Sequence, residues 1–565
     1  MSPKTYLVTL PYELRQMIYH YYFQLDGGYV CDPGPGNGKL VTADGQPIEF
    51  SLMYTCCLIA SETKDIPLAV NTVAFSTAYH PDWSPLAGRF EYLTIYYQEL
   101  ETDFLLELGR DMTSEMYSEL EHRLPRFAPM LRMVVAQEEF RGGQADYFKQ
   151  NVISYDRSPL FDRRRTPWSD FRETPSMVRQ AVTYSLQLLR RKYETEFAGL
   201  ISDALPHWEP SCGLHEFDDL RFEPWAIPSR YTLEKVGDRL QDQLALRSIL
   251  EWRREQWRSP LPVYRARKQR YEQVHPKRRH KFCFSAAAVA IRFLDSLPVK
   301  KRLQIRKIIL NEDRVSVGRP ECHAQGLILF CKENLQLRVE HRVSLWGNIL
   351  QRDVIPYFED VPLLEAGVKD NSHRFYIYNA HEAIGGWLTE ALAVMEAGMP
   401  PGSFSFVLDG EPLADISSDV FQRGIHLAVA WELAFREVAA QGTLWPISDG
   451  YICYQAGIDF PQNVARLLNQ TSVFRCNFNP GRLWDVETLV EERREWHIGN
   501  WIQARSQWRD YIDLPPALIN WPELLLDNFE IDPQHGFPKP GNINKRSRGR
   551  AGGGRRREGR PGRRI

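Results

Sequence analysis

Between residues 305 and 438 the apolar side chains switch repeatedly between two spacings, and this alternation limits the architectures open to the chain. Residues 305–310 (IRKIIL), 335–339 (LQLRV), 375–378 and 404–408 form short runs rich in β-branched and aromatic residues, as strands require. Residues 326–332, 380–397 and 420–438 place their apolar side chains at helical spacing. Strands that alternate with helices predict a sheet covered by helices, hence a mixed α/β fold.

Upstream, Leu10, Leu14, Met17, Ile18 and Tyr21 recur at helical spacing behind Pro11. Glu13 falls in the first turn, where the helix dipole favours a carboxylate, so a short amphipathic helix is predicted over 10–23. Residues 26–46, rich in Gly and Pro, read as a loop, 51–67 as helical, and 71–77 as a strand. Residues 90–97 (FEYLTIYY), aromatic and β-branched, read as a further strand. Residues 157–175 lack any period and read as a surface connection. Two long helices are then expected. Ser176 caps the first, whose stripe runs from Val178 to Leu205, and the second runs from Thr232 toward Trp257.

These segments divide the chain into an N-terminal α/β region (1–150), a helical region with a basic block (151–280), an α/β segment (281–345), a helix-rich α/β region (346–536) and an Arg/Gly-rich tail (537–565). Trp484, Trp496, Trp501, Trp508 and Trp521 are expected to pack into a core rather than to face a ligand.

The 565 residues carry a formal net charge of −2, which conceals an asymmetry. Residues 545–565 hold ten Lys or Arg and one Glu, so the tail carries +9 and the remainder −11. A second block, 252–281, has eleven Lys or Arg against Glu255 and Glu272. Lys277, Arg278 and Arg279 in that block, and Lys545, Arg546, Arg548, Arg550, Arg555, Arg556 and Arg557 in the tail, are the residues expected to meet an import receptor, RNA or DNA. The tail is also expected to be disordered when free, because it has too few apolar residues to offset the entropy of ordering. Nuclear or nucleocytoplasmic localisation is the corresponding expectation. Trp252, Trp257, Tyr264 and Tyr271, interleaved with the arginines, suit either stacking on single-stranded nucleic acid or burial in a helix with a basic outer face.

No run approaches the roughly 18 uncharged residues of a spanning helix, and neither a membrane partner nor secretion is expected. Nine Cys thinly spread over the chain suit free thiols in a reducing compartment. Residues 34–40 (GPGNGKL) fail as a phosphate loop, since Pro33 stands at the first Gly position and Leu40 at the Ser/Thr position. Cys212 with His215, His280 with Cys283, and Cys322 and His323 with Cys331 are spaced like metal ligands, yet no Cys-x-x-Cys pair exists and no cofactor or metal is expected. Asp218 and Asp219, adjacent in an extended reading, point apart and do not form a general acid and base. No catalytic motif is found, and no enzymatic activity is expected.

Residues 10–23 (LPYELRQMIYHYYF) resemble the Leu-Pro-x-Glu-Leu-Arg-x-x-Ile-Tyr opening of the F-box-like proteins abundant in filamentous fungi. Thr55, Cys56, Ile59, Glu62, Asn71, Thr72 and Phe75 are similar to the segment that follows in those proteins, and residues 284–314 resemble their later Phe-, Leu- and Arg-containing segment. The resemblance implies an adaptor that docks its first helix on a Skp1-type partner of a ubiquitin ligase, with Leu10, Pro11, Leu14 and Ile18 as docking residues and the later α/β region holding a substrate. Where the second and third helices of an F-box would follow directly, this chain has residues 26–46.

Overall fold

The computed structural model describes residues 6–32, 38–140, 168, 173–205, 208, 213–240, 278–351, 374–377, 380–441, 457, 459–506, 511–513 and 527–531. The strands in chain order are β1 Tyr29–Asp32, β2 Lys39–Thr42, β3 Thr72–Ser76, β4 Arg278–His280, β5 Lys307–Glu312, β6 Arg338–Ser344, β7 Arg374–Tyr376, β8 Phe404–Asp409, β9 Phe474–Cys476, β10 Tyr511–Asp513 and β11 Phe529–Ile531. The mixed α/β class is as expected. Seven strands form one sheet in the order β2-β1-β3-β5-β6-β8-β9, parallel throughout except for the β1–β2 pair, while β7–β10 and β4–β11 form two antiparallel ribbons.

Each parallel strand is laid down beside its predecessor, always on the same side. Right-handed crossovers in one direction place their helices on one face of a sheet, and the burial pattern agrees. Ile308, Leu310 and Glu312 of β5, Val339, His341 and Val343 of β6, and Phe404, Phe406 and Leu408 of β8 are buried. Their alternates Lys307, Ile309, Asn311, Glu340, Arg342, Ser405 and Val407 are only partly buried. Most parallel sheets are covered on both faces; this one alternates as a half-exposed sheet does.

The helices that matter below are α1 Tyr12–Phe23, α2 Cys57–Thr63, α3 Ile66–Val70, α4 Ser84–Leu108, α5 Pro175–Lys192, α6 Glu194–Ala204, α7 Leu214–Asp218, α8 Arg230–Leu240, α9 Ala286–Ser296, α10 Val299–Arg302, α11 Ile328–Glu333, α12 Ala380–Glu396, α13 His426–Ala440, α14 Val486–Arg493 and α15 Ile498–Ser506. The main core gathers residues from Cys31 to Ile512. A satellite core holds Trp431 of α13, Leu489 and Val490 of α14 and Trp501 of α15. Trp501 is therefore core, as expected, and Trp496 packs against the same cluster. Trp484 is exposed and donates its indole N–H to the Gln422 carbonyl at 2.9 Å, while Trp508 and Trp521 lie outside the described residues.

Several expectations need correction. Residues 90–97 are the centre of α4, not a strand. Phe90, Tyr92, Leu93, Tyr96 and Tyr97 are all buried, because α4 is covered on nearly every side and has no polar face to mark its period. Tertiary burial here overrides β-propensity. Residues 26–46 are not a loop alone: they carry β1 and β2, which pair antiparallel at the edge of the main sheet. The cap of α5 is Thr174 rather than Ser176, its hydroxyl accepting the Met177 N–H at 3.1 Å with Pro175 in the first turn. The single helix expected up to Leu205 breaks at Tyr193, whose backbone leaves the helical region, giving α5 and α6. Asp218 ends α7, a short helix rather than an extended segment. The helix beginning near Thr232 is described as α8 to Leu240, and its expected course to Trp257 lies outside the described residues.

Candidate functional site

Helix α1 presents three different faces. Arg15, Tyr19 and Phe23, four residues apart, lie along one side of the helix and turn toward the protein, where Tyr19 and Phe23 are buried with Ile59 of α2 and Ile66 of α3. Glu13 and His20 form a polar strip. The remaining arc carries Leu14, Met17, Ile18 and Tyr21 at i, i+3, i+4 and i+7, exposed by 46, 60, 40 and 82 %. A helix normally buries the stripe with that spacing, and here it faces outward.

What holds the helix in this orientation is polar. Arg15 Nε and Nη2 donate to the two Glu62 carboxylate oxygens at 2.9 and 2.5 Å, and the Tyr19 hydroxyl donates to Glu62 Oε2 at 2.9 Å. These bonds hold the Arg15 pKa above and the Glu62 pKa below their ordinary values. Asn71 fixes the exit of the helix. Its Nδ2 donates to the Phe23 and Pro67 carbonyls at 2.6 and 2.9 Å, and its Oδ1 accepts the Leu25 N–H at 2.9 Å. The helices α1, α2 and α3 thus form one unit, with the β1–β2 hairpin looped out between α1 and α2 into the main sheet.

Of the expected docking residues, Leu14 and Ile18 lie on the exposed stripe, Pro11 is exposed, and Leu10 is half-buried, with its carbonyl accepting from Arg15 Nη1. Further along the chain, Tyr54 and Leu58 are also exposed. The exposure of Met17, Tyr54 and Leu58 was not anticipated from spacing, although Met17 belonged to the same helical stripe. Of the import and nucleic-acid residues, only Arg278 and Arg279 fall among the described residues. Arg278 and Arg279 sit in β4, paired with β11, while Lys277, Lys545, Arg546, Arg548, Arg550, Arg555, Arg556 and Arg557 lie outside the described residues.

The other place where chemistry could reside is a buried polar centre at the start of α9. Ser285 Oγ lies 2.6 Å from His323 Nδ1, the spacing of a nucleophile and its base. Both groups are already committed, however. Ser285 Oγ accepts the Ala288 N–H at 3.0 Å as the cap of α9, and His323 Nε2 lies 2.7 Å from the Gly318 carbonyl, which can only accept. The ring proton therefore sits on Nε2, and Nδ1 accepts from the serine. Burial lowers the His323 pKa to about 4, so the ring is neutral near pH 7. Glu312 beside it accepts the Ala286 and Ala287 N–H groups at 3.1 Å each. A fully buried serine that caps a helix is structural.

Cys322 and Cys331 are likewise buried, and burial raises both thiol pKa values. Among the described residues, no group of three His, Cys, Asp or Glu side chains is disposed to hold a metal ion. Among the same residues, no helix is long and apolar enough to cross a membrane. Compared with known proteins, the chain matches no family model, no curated protein and no solved structure.

Proposed function

We propose that this chain is a non-enzymatic, F-box-like adaptor that docks through α1 and recruits a second protein on its α/β region. The observation that carries the reading is the outward-facing stripe of Leu14, Met17, Ile18 and Tyr21 on a helix anchored by Arg15, Tyr19 and Phe23. Contiguous exposed apolar side chains on a fixed scaffold mark interaction sites. Completing the burial of these four exposed side chains stabilises a complex by roughly 1 kcal/mol each. The resemblance of residues 10–23 to the F-box-like opening supplies the partner, a Skp1-type adaptor of a ubiquitin ligase. The partly exposed face of the sheet, bearing Ile309, Glu340, Arg342, Ser405 and Val407, is the surface proposed for the recruited protein. Nuclear entry through residues 545–565 belongs to the same proposal, with an import receptor as the second partner.

The test is capture of purified Skp1 by the full chain and by a Leu14→Asp, Ile18→Asp double variant. Both side chains are exposed, so the variant keeps its fold. The expected outcome is capture by the wild type and loss in the variant. Failure of the wild type to bind Skp1 removes the adaptor reading.

A further inference from the structure

Two turns at the N-terminal rim of the main sheet are stitched together and carry a second exposed surface of different character. The turn through α10 leads into β5, and the turn after α11 leads into the neighbouring β6. Asn334 Nδ2 donates to the Ile305 and Leu303 carbonyls at 2.9 and 3.3 Å. Arg302 makes two bonds to the Glu333 carboxylate at 2.6 and 2.9 Å, and the Arg338 N–H reaches the Arg306 carbonyl at 2.8 Å. On this joined rim Val299, Leu329 and Leu335 are 47, 75 and 67 % exposed.

Cations surround these three side chains. Lys301 is paired with Asp65 and Arg302 with Glu333. Lys300, Arg306, Lys332 and Arg338 have no carboxylate partner among the described residues, nor does Lys64, whose carbonyl accepts from Lys301 Nζ at 2.8 Å. Asp295 is the one remaining carboxylate of these turns. Arg338 and Arg306 spend N–H groups on backbone carbonyls, with no carboxylate opposite them among the described residues.

We propose that this rim docks on an anionic lipid surface, with Val299, Leu329 and Leu335 entering the interface and Lys300, Arg306, Lys332 and Arg338 meeting the headgroups. Leu329 and Leu335, exposed by two-thirds or more, project outward with the half-exposed Val299 beside them, so they fit a surface they can enter better than a peptide they must enclose. The flanking cations gain from the negative potential of such a surface. The proposal is independent of the docking role of α1, and it replaces the expectation of no membrane partner with peripheral attachment.

The experiment is flotation of the full chain with vesicles of phosphatidylcholine alone or mixed with phosphatidylserine. It compares the wild type with a Val299→Ser, Leu329→Gln, Leu335→Gln variant and a Lys300→Glu, Lys332→Glu variant. All five side chains are exposed, and matching thermal melts establish that the folds are equal. The wild type is expected to float with the phosphatidylserine vesicles alone, and each variant to partition about tenfold less. Three results would overturn the proposal. One is a wild type that does not float. Another is an apolar variant that floats as the wild type does, which would assign adsorption to the basic residues 252–281 and 545–565. The third is retention of polyglutamate or single-stranded DNA that depends on Lys300 and Lys332 but not on the aliphatic residues, which would make the rim a polyanion site.

Discussion

The Arg15 guanidinium and the Glu62 carboxylate face each other through two hydrogen bonds across 47 positions of sequence, and both side chains are nearly removed from solvent. The pair joins the helix with the exposed stripe to the helix behind it. A planar guanidinium fork matches a carboxylate in a way that a lysine ammonium cannot. Arg15→Lys is therefore expected to lower the melting temperature, and Glu62→Gln to lower it further, because the glutamine amide turns a donor toward Arg15 and also disturbs the Tyr19 hydroxyl. The carboxylate pKa is held down by Arg15, so this contribution is complete above the unfolded carboxylate range and is lost as pH falls through the folded value. Melting curves of the two variants near neutral and near pH 3 check this: the difference from wild type shrinks on acidification. A constant difference would mean that the pair holds the unit by shape rather than by charge.

Glu390 and His323 are buried titrating groups whose effects run in opposite directions. Burial raises Glu390 from 4.5 to about 7 against the opposing Ser176 N–H, which lies 2.8 Å from its Oε1, and Oε2 has no partner among the described residues. An acid with a raised folded pKa gives its stabilisation in full below the unfolded value and loses it as pH climbs through the folded one. His323 is lowered from 6.5 to about 4, so its contribution is complete above the unfolded value and is lost as pH falls toward 4. Each swing amounts to about 3 kcal/mol, and between about pH 4.5 and 6.5 the two oppose each other. Glu390→Gln removes one of them. Measured by urea unfolding, the stability of this variant relative to wild type should rise by about 3 kcal/mol from pH 4.5 to 7. A gap that does not change with pH would show that Glu390 titrates in the ordinary carboxylate range.

The apolar run Ile308–Leu310 marked the strand β5 but not its buried face, which takes in Glu312 and leaves Ile309 only partly buried. Phe90–Tyr97 failed for a different reason: a helix enclosed on all sides loses the polar positions that reveal its period. The β1–β2 hairpin was hidden by its glycines. Gly28 takes a positive φ and passes so close to Thr72 that a Cβ would lie 2.4 Å from its carbonyl oxygen, which is a packing requirement and not a loop signal. The segment resemblance was legible but mixed two kinds of residue. Ile59, Glu62, Asn71 and Phe75 are spent on packing and hydrogen bonds inside the protein. Leu14 and Ile18 are not, and spacing alone cannot say which of two apolar stripes on one helix faces out. Arg302, Asn334 and Arg306, which bring the rim residues together, lie about thirty positions from their partners, so that surface could be assembled only by the fold.

The tail from Lys545 to Ile565 sets the last prediction. Its ten Lys and Arg against a single Glu558 give +9 over 21 residues, while the rest of the chain carries −11. Three outcomes compete for such a segment: capture by the acidic grooves of import receptors, Arg-Gly contacts with RNA, or attraction to the negative body of its own chain. Receptors read clustered cations, and KRSRGR and RRREGRPGRR supply two clusters. Attraction to the body is spread over a large surface and is screened within a Debye length of about 8 Å at physiological salt. Receptor capture is therefore expected to win. Fused to a large inert reporter, residues 545–565 should carry it into the nucleus, and Arg555→Ala, Arg556→Ala and Arg557→Ala together should weaken that import. Deletion of the tail from the full chain should lower its nuclear fraction, as read by fluorescence microscopy. A reporter that stays in the cytoplasm would refute the import signal. Attraction to the body would then be the preferred role, visible as a salt-dependent cross-link between the tail and acidic residues of the same chain.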